Sequence, residues 1–83
     1  MNKRNQRMSR LQKTEYVGND LHIQLRRLNS KILNTYYQAF EDGRETVTIL
    51  FKNGDKLTVD VKGLLKAEIA DKVIFALRQY REG

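Results

Sequence analysis

The sequence predicts a single α+β domain: a long N-terminal amphipathic helix, a two-stranded antiparallel β-hairpin and a C-terminal helix. Three patterns carry that expectation. Leu21, Leu25, Leu28, Ile32, Tyr36 and Ala39 recur at spacings of three and four and share one helical stripe. On either side of Asn53-Gly54, Val47, Ile49 and Phe51 alternate with Thr46, Thr48 and Leu50, and Leu57, Val59 and Val61 alternate with Lys56, Thr58 and Asp60, the pattern of a half-buried hairpin. Leu65, Ile69, Val73, Ala76 and Tyr80 form a second helical stripe. Eighty-three residues without a cysteine give a core only just large enough to stand alone, so a homodimer is expected.

Residues 1–8 are polar, basic and aperiodic, and read as a disordered arm ahead of one domain over 9–83. Ser9 to Val17 suits a short helix. Gly18 fits either its C-terminus, with Asn19 or Asp20 capping the next helix, or a bend in one long helix. The helix from Asp20 to about Glu41 carries Arg27, Ser30, Lys31 and Asn34 on its polar side, with Arg26 at the margin. Leu33, Tyr37 and Phe40 widen its apolar side, and Glu41-Asp42-Gly43 closes it.

Register decides the hairpin loop. A two-residue Asn53-Gly54 turn would set Phe51 opposite Lys56 and Ile49 opposite Thr58, apolar against polar. A three-residue Lys52-Asn53-Gly54 loop pairs Ile49 with Leu57, Val47 with Val59 and Thr48 with Thr58, and is the expected one. Gly63 then separates the hairpin from Leu64 to about Arg81. Within that segment Val73–Leu77 is apolar nearly all round, and the preceding alanines and charges favour helix over a short strand.

Composition excludes several classes of function. No run of about 18 apolar residues is present, and no apolar stretch follows the basic N-terminus, so a cytoplasmic protein without a membrane span is expected. His22 is the sole histidine and there is no cysteine, so neither a His/Cys metal site nor a Ser-His-Asp system is indicated. The carboxylates are scattered, and neither Asp42-Gly43 nor Asn53-Gly54 has phosphate-loop spacing. A non-enzyme without cofactor, metal or small-molecule substrate is expected.

Charge suggests a partner. The net charge is +6, and all of the excess lies in residues 1–33, where eight basic side chains face Glu15 and Asp20. Lys3, Arg4, Arg7, Arg10, Lys13, Arg26, Arg27 and Lys31 are the expected nucleic-acid-binding set, acting through salt-dependent phosphate contacts. The alternative is a protein-interaction module, an adaptor or inhibitor of phage or plasmid type, docking through helix and hairpin-edge surfaces. Leu50, Ile74 and Phe75 are then the expected interface, either to a partner protein or to a second copy.

Val47–Leu57, with the sequence VTILFKNGDKL, resembles the first motif of Sm-like proteins, and Val73–Arg78 resembles that family's third strand. Val59 departs from the pattern, which usually has glycine there. No RNA-binding residues are carried over from the family.

Overall fold

A computed structural model describes residues 8–80. Residues 1–7, including Lys3, Arg4 and Arg7 of the expected basic arm, lie outside the described residues; Met8 packs half-buried against the core. The chain order is one long helix, three strands and a C-terminal helix. The N-terminal helix, α1, has an α segment Arg10–Glu15, a π-helical turn Tyr16–Leu21 and a second α segment His22–Leu28, with no break between them. The strands are β1 (Ile32–Ala39), β2 (Glu45–Phe51) and β3 (Lys56–Asp60), and α2 spans Lys66–Gln79.

Ser9 starts α1 with a capping box: its hydroxyl accepts the Gln12 N–H at 3.2 Å, and Gln12 Oε1 accepts the Ser9 N–H at 2.8 Å. Gly18 does not end the helix, so the single-helix alternative is the one realised, with the irregularity taken up as a π turn. The turn has a packing rationale. Lys13, Val17, Leu21 and Leu25 all face inward at intervals of four. In a plain α-helix each such step over-rotates by about 40°. A wider i→i+5 turn, seen in the His22 N–H bonded to Val17 O, takes up part of that drift and keeps the row over the sheet.

The expected helix Asp20–Glu41 is corrected beyond Leu28. Asn29 caps the helix in an extended conformation, and Ile32–Ala39 is a strand, so the sheet has three strands rather than two. The β-branched and aromatic content of Ile32, Thr35, Tyr36 and Tyr37 favours the pleated form. A bulge between Ile32 and Asn34 breaks strict alternation. Ile32, Thr35 and Tyr37 therefore all point inward, although Thr35 and Tyr37 lie three and five positions beyond Ile32.

The sheet is an antiparallel meander ordered β1-β2-β3. Its hairpin has the expected register, with Val47 opposite Val59, Thr48 opposite Thr58 and Ile49 opposite Leu57. Phe51 and Asp55 bracket the three-residue loop through Phe51 N–H to Asp55 O at 2.8 Å, and Gly54 sits at φ +92°, where glycine avoids a Cβ clash. Val73–Leu77 is helical within α2. The Val73–Arg78 likeness to a third Sm-like strand thus has no structural counterpart.

Both helices cover the same face of the sheet. Val17, Leu21 and Leu25 from α1, Ile69, Val73 and Leu77 from α2, and Ile32, Val47, Ile49, Phe51 and Val59 from the strands form one core. The other face is open: Asn34, Leu50 and Lys56 lie in one row, Tyr36, Thr48 and Thr58 in the next, and Gln38, Thr46 and Asp60 in the third. Each edge is blunted. Asn34 Oδ1 takes the outward Thr35 N–H at 2.9 Å beside the β1 bulge, while β3 is short and carries Lys56 and Asp60.

Candidate nucleic-acid interface

The last turns of α1 turn one flank to the sheet and the other to solvent. Leu21 and Leu25 are buried, whereas Arg26 and Arg27 are exposed. Among the described residues, His22, Ile23, Arg26 and Arg27 line an open depression of about 330 Å³. Neither arginine has an ion-pair partner among the described residues. Their place at the helix C-terminus is favoured by the negative end of the helix dipole, which holds cations there without a carboxylate.

His22 anchors this flank. Its Nδ1 lies 2.8 Å from the Thr35 hydroxyl, which is 1 % exposed, so the ring ties helix to strand β1. Burial, and secondarily the charge of Arg26, lower its pKa below the usual imidazole value. The ring is therefore neutral at pH 7, and the positive charge of the depression comes from the two arginines.

The other expected binding residues separate in space. Arg10 is exposed at the start of α1, with Glu15 and Asp20 between it and Arg26 along the chain. Lys13 turns inward: its Nζ contacts Glu45 Oε1 at 2.6 Å, and its side chain is only 12 % exposed. Lys31 follows the helix in a tight turn closed by Lys31 N–H to Asn29 Oδ1 at 2.9 Å, and its carbonyl accepts the Lys52 N–H at 2.8 Å. The expected interface residues do not converge. Leu50 is half-buried on the open sheet face, Ile74 packs half-buried on the core from α2, and Phe75 is 65 % exposed on that helix.

Glu45 is a polar centre that the sequence did not single out. Lys13 Nζ and the Tyr37 hydroxyl both donate to its Oε1 at 2.6 Å, and the Gly63 N–H donates to Oε2 at 3.3 Å. The carboxylate thus joins α1, β1, β2 and the segment after β3. Desolvation opposes its charge, but the bonds from Lys13, Tyr37 and Gly63 outweigh that and hold its pKa at about 2. Burial and the bond to Glu45 push the Tyr37 phenol up to about 12. With both groups locked in their resting protonation states, the cluster acts as a clamp rather than a proton carrier.

Among the described residues no three histidine, cysteine or carboxylate side chains converge as a metal site, and no helix is long and apolar enough to cross a membrane. Two exposed cations escaped sequence reasoning, Lys52 and Lys56 at the hairpin. Lys52 comes beside Lys31 only because β1 pairs with β2, while Lys56 lies on β3 opposite Leu50. Comparison with known protein families, curated proteins and solved structures gives no match.

Proposed function

We propose that this protein is a non-enzymatic nucleic-acid-binding protein that meets the phosphate backbone with the solvent flank of α1, through Arg26 and Arg27. The exposed, unpaired arginine pair is the observation that carries the reading. Among the described residues neither of these consecutive arginines has a carboxylate partner, which leaves both guanidiniums able to contact phosphate oxygens. Arg10 and the N-terminal Lys3, Arg4 and Arg7 extend the same electrostatic attraction. Lys13 is left out of the set because Glu45 holds it.

Fluorescence anisotropy with labelled mixed-sequence DNA and RNA tests the reading. Binding is expected at 50 mM salt and lost at 300 mM, and R26E/R27E weakens it about tenfold or more, as loss of phosphate contacts demands. Absence of binding at low salt, or an unchanged affinity in the double variant, overturns it.

A protein-docking role has one observation of its own. Leu28 and Leu33, 51 % and 55 % exposed, flank the turn between α1 and β1. The partner in that reading is a second copy or another protein. Sedimentation giving a monomer with L28S/L33S unchanged in behaviour removes the homodimer form of it.

A further inference from the structure

His22, Ile23, Arg26 and Arg27 stand on successive turns of α1 and line one open depression. His22 and Arg26 are four residues apart, which sets their Cβ atoms about 5–6 Å from each other on one flank. The charge of Arg26 bears on the imidazole. The ring is anchored on one side only. Its Nδ1 lies 2.8 Å from the buried Thr35 hydroxyl. Nε2 diverges from Nδ1 across the ring and has no hydrogen-bond partner among the described residues. Nε2 is therefore the polar atom that His22 brings to the depression.

The partner of Nδ1 decides what the ring can do. A carboxylate there would favour the cation, and a backbone N–H would favour the neutral form. A hydroxyl both donates and accepts. It donates to a bare Nδ1 and accepts from a protonated one, so the anchor survives either charge state. The charged group facing the ring from its own helix is Arg26, and β1 presents the neutral Thr35. Among the described residues no carboxylate pairs with the imidazole.

From this geometry we infer that His22 is a third contact of the site, its Nε2–H donating to the phosphate oxygens that Arg26 engages, and that phosphate binds there together with one proton taken from solvent by the imidazole. The inference rests on the reading of Arg26 and Arg27 given above and adds a pH dependence to it.

In the empty site burial, and then Arg26, lower the imidazole pKa. A phosphate beside the ring opposes both. An anion within about 4–6 Å raises a pKa by about 1–3, and the lower end fits a site open to solvent. Affinity is then level above the bound-state pKa, rises as pH falls toward the free-state value, and levels again below it. A pKa raised by about one corresponds to about tenfold tighter binding at the acid limit. The new cation also steepens the slope of log K against log salt by about 0.7–0.9.

His22 is the sole histidine, so imidazole ¹H resonances of an untagged full chain report it without ambiguity. The chain is titrated from pH 8 to 5, free and then saturated at low salt with mixed-sequence DNA or RNA. The bound imidazole is expected to titrate about one pH unit or more above the free one. Anisotropy at constant salt should show binding about fivefold or more tighter at pH 5 than at pH 8. H22N, whose amide can still bond Thr35 but does not titrate, should lose most of that gain. If the imidazole titrates at the same or a lower pH when bound, or H22N keeps the whole gain, while R26Q/R27Q still weakens binding, His22 is not a contact and the arginine reading stands. If R26Q/R27Q leaves affinity unchanged, or neither nucleic acid binds at either pH, both fall together.

Discussion

Replacing Glu45 with glutamine keeps the shape of the side chain and removes the charge on which Lys13, Tyr37 and Gly63 converge. The carboxyl pKa is lowered from 4.5 to about 2. At about 1.4 kcal/mol per unit, that displacement sets an upper bound of about 3.5 kcal/mol on the stability held by the ionised form at pH 7. The Lys13 and Glu45 side chains keep 12 % and 19 % of their exposure, so solvent screens part of the attraction. With that screening an expected loss for E45Q is about 2 kcal/mol. In a domain of this size the loss lowers the melting temperature by roughly 8–16 °C. The sign with pH follows from the lowered value. The contribution is complete above pH 4.5 and disappears as pH falls toward 2, because the unfolded chain takes up the proton first. Urea denaturation of wild type and E45Q between pH 7 and 2.5, followed by circular dichroism, reads both effects. The two stability curves should differ by the full amount at pH 7 and converge toward pH 2. Parallel curves across that range, or equal stability at pH 7, would refute the clamp.

Tyr37 sets the alkaline counterpart. Its phenol is raised from 10.0 to about 12, so wild type should lose stability between those values as the unfolded chain deprotonates first, and Y37F should lose less, keeping only the share of Tyr16, whose phenol burial also raises; pH-dependent melting checks this. Gly54 has open space around a prospective Cβ but sits at φ +92°. G54A should therefore cost about 1–2 kcal/mol through backbone strain alone, visible as a shifted urea midpoint. Phe51 is buried and stacked on Tyr80. F51A should cost about 3–5 kcal/mol and leave little folded protein, whereas Y80F, keeping the stack and losing one exposed hydrogen bond to Asp55, should change stability by about 1 kcal/mol or less.

The hairpin was readable because its two strands are adjacent in sequence and the polar–apolar alternation admits only one register. β1 was not, and the bulge explains why. With an extra residue at Leu33, the inward positions Ile32, Thr35 and Tyr37 no longer alternate, and the remaining spacing of Ile32, Tyr36 and Ala39 imitates a helical stripe. The apolar width added by Leu33, Tyr37 and Phe40 was the trace of a strand with two occupied faces. Asn29-Ser30 was the trace of a helix end.

The exposure of Arg26 and Arg27 was legible because helical spacing places Arg27 opposite the buried leucines and Arg26 at their margin. The role of Lys13 depends on Glu45, 32 residues away, and the proximity of Lys52 to Lys31 depends on strand pairing. Neither leaves a mark in local pattern. The π turn was equally hidden, since it responds to the sheet beneath the helix rather than to any residue preference at Gly18.

The most direct test of the nucleic-acid reading is amide chemical-shift mapping of the ¹⁵N-labelled chain titrated with a mixed-sequence duplex at low salt. On the proposed function the largest changes cluster at His22–Arg27 and vanish at 300 mM salt. Changes absent at low salt, or centred on Phe75 and the exposed face of α2, would contradict it.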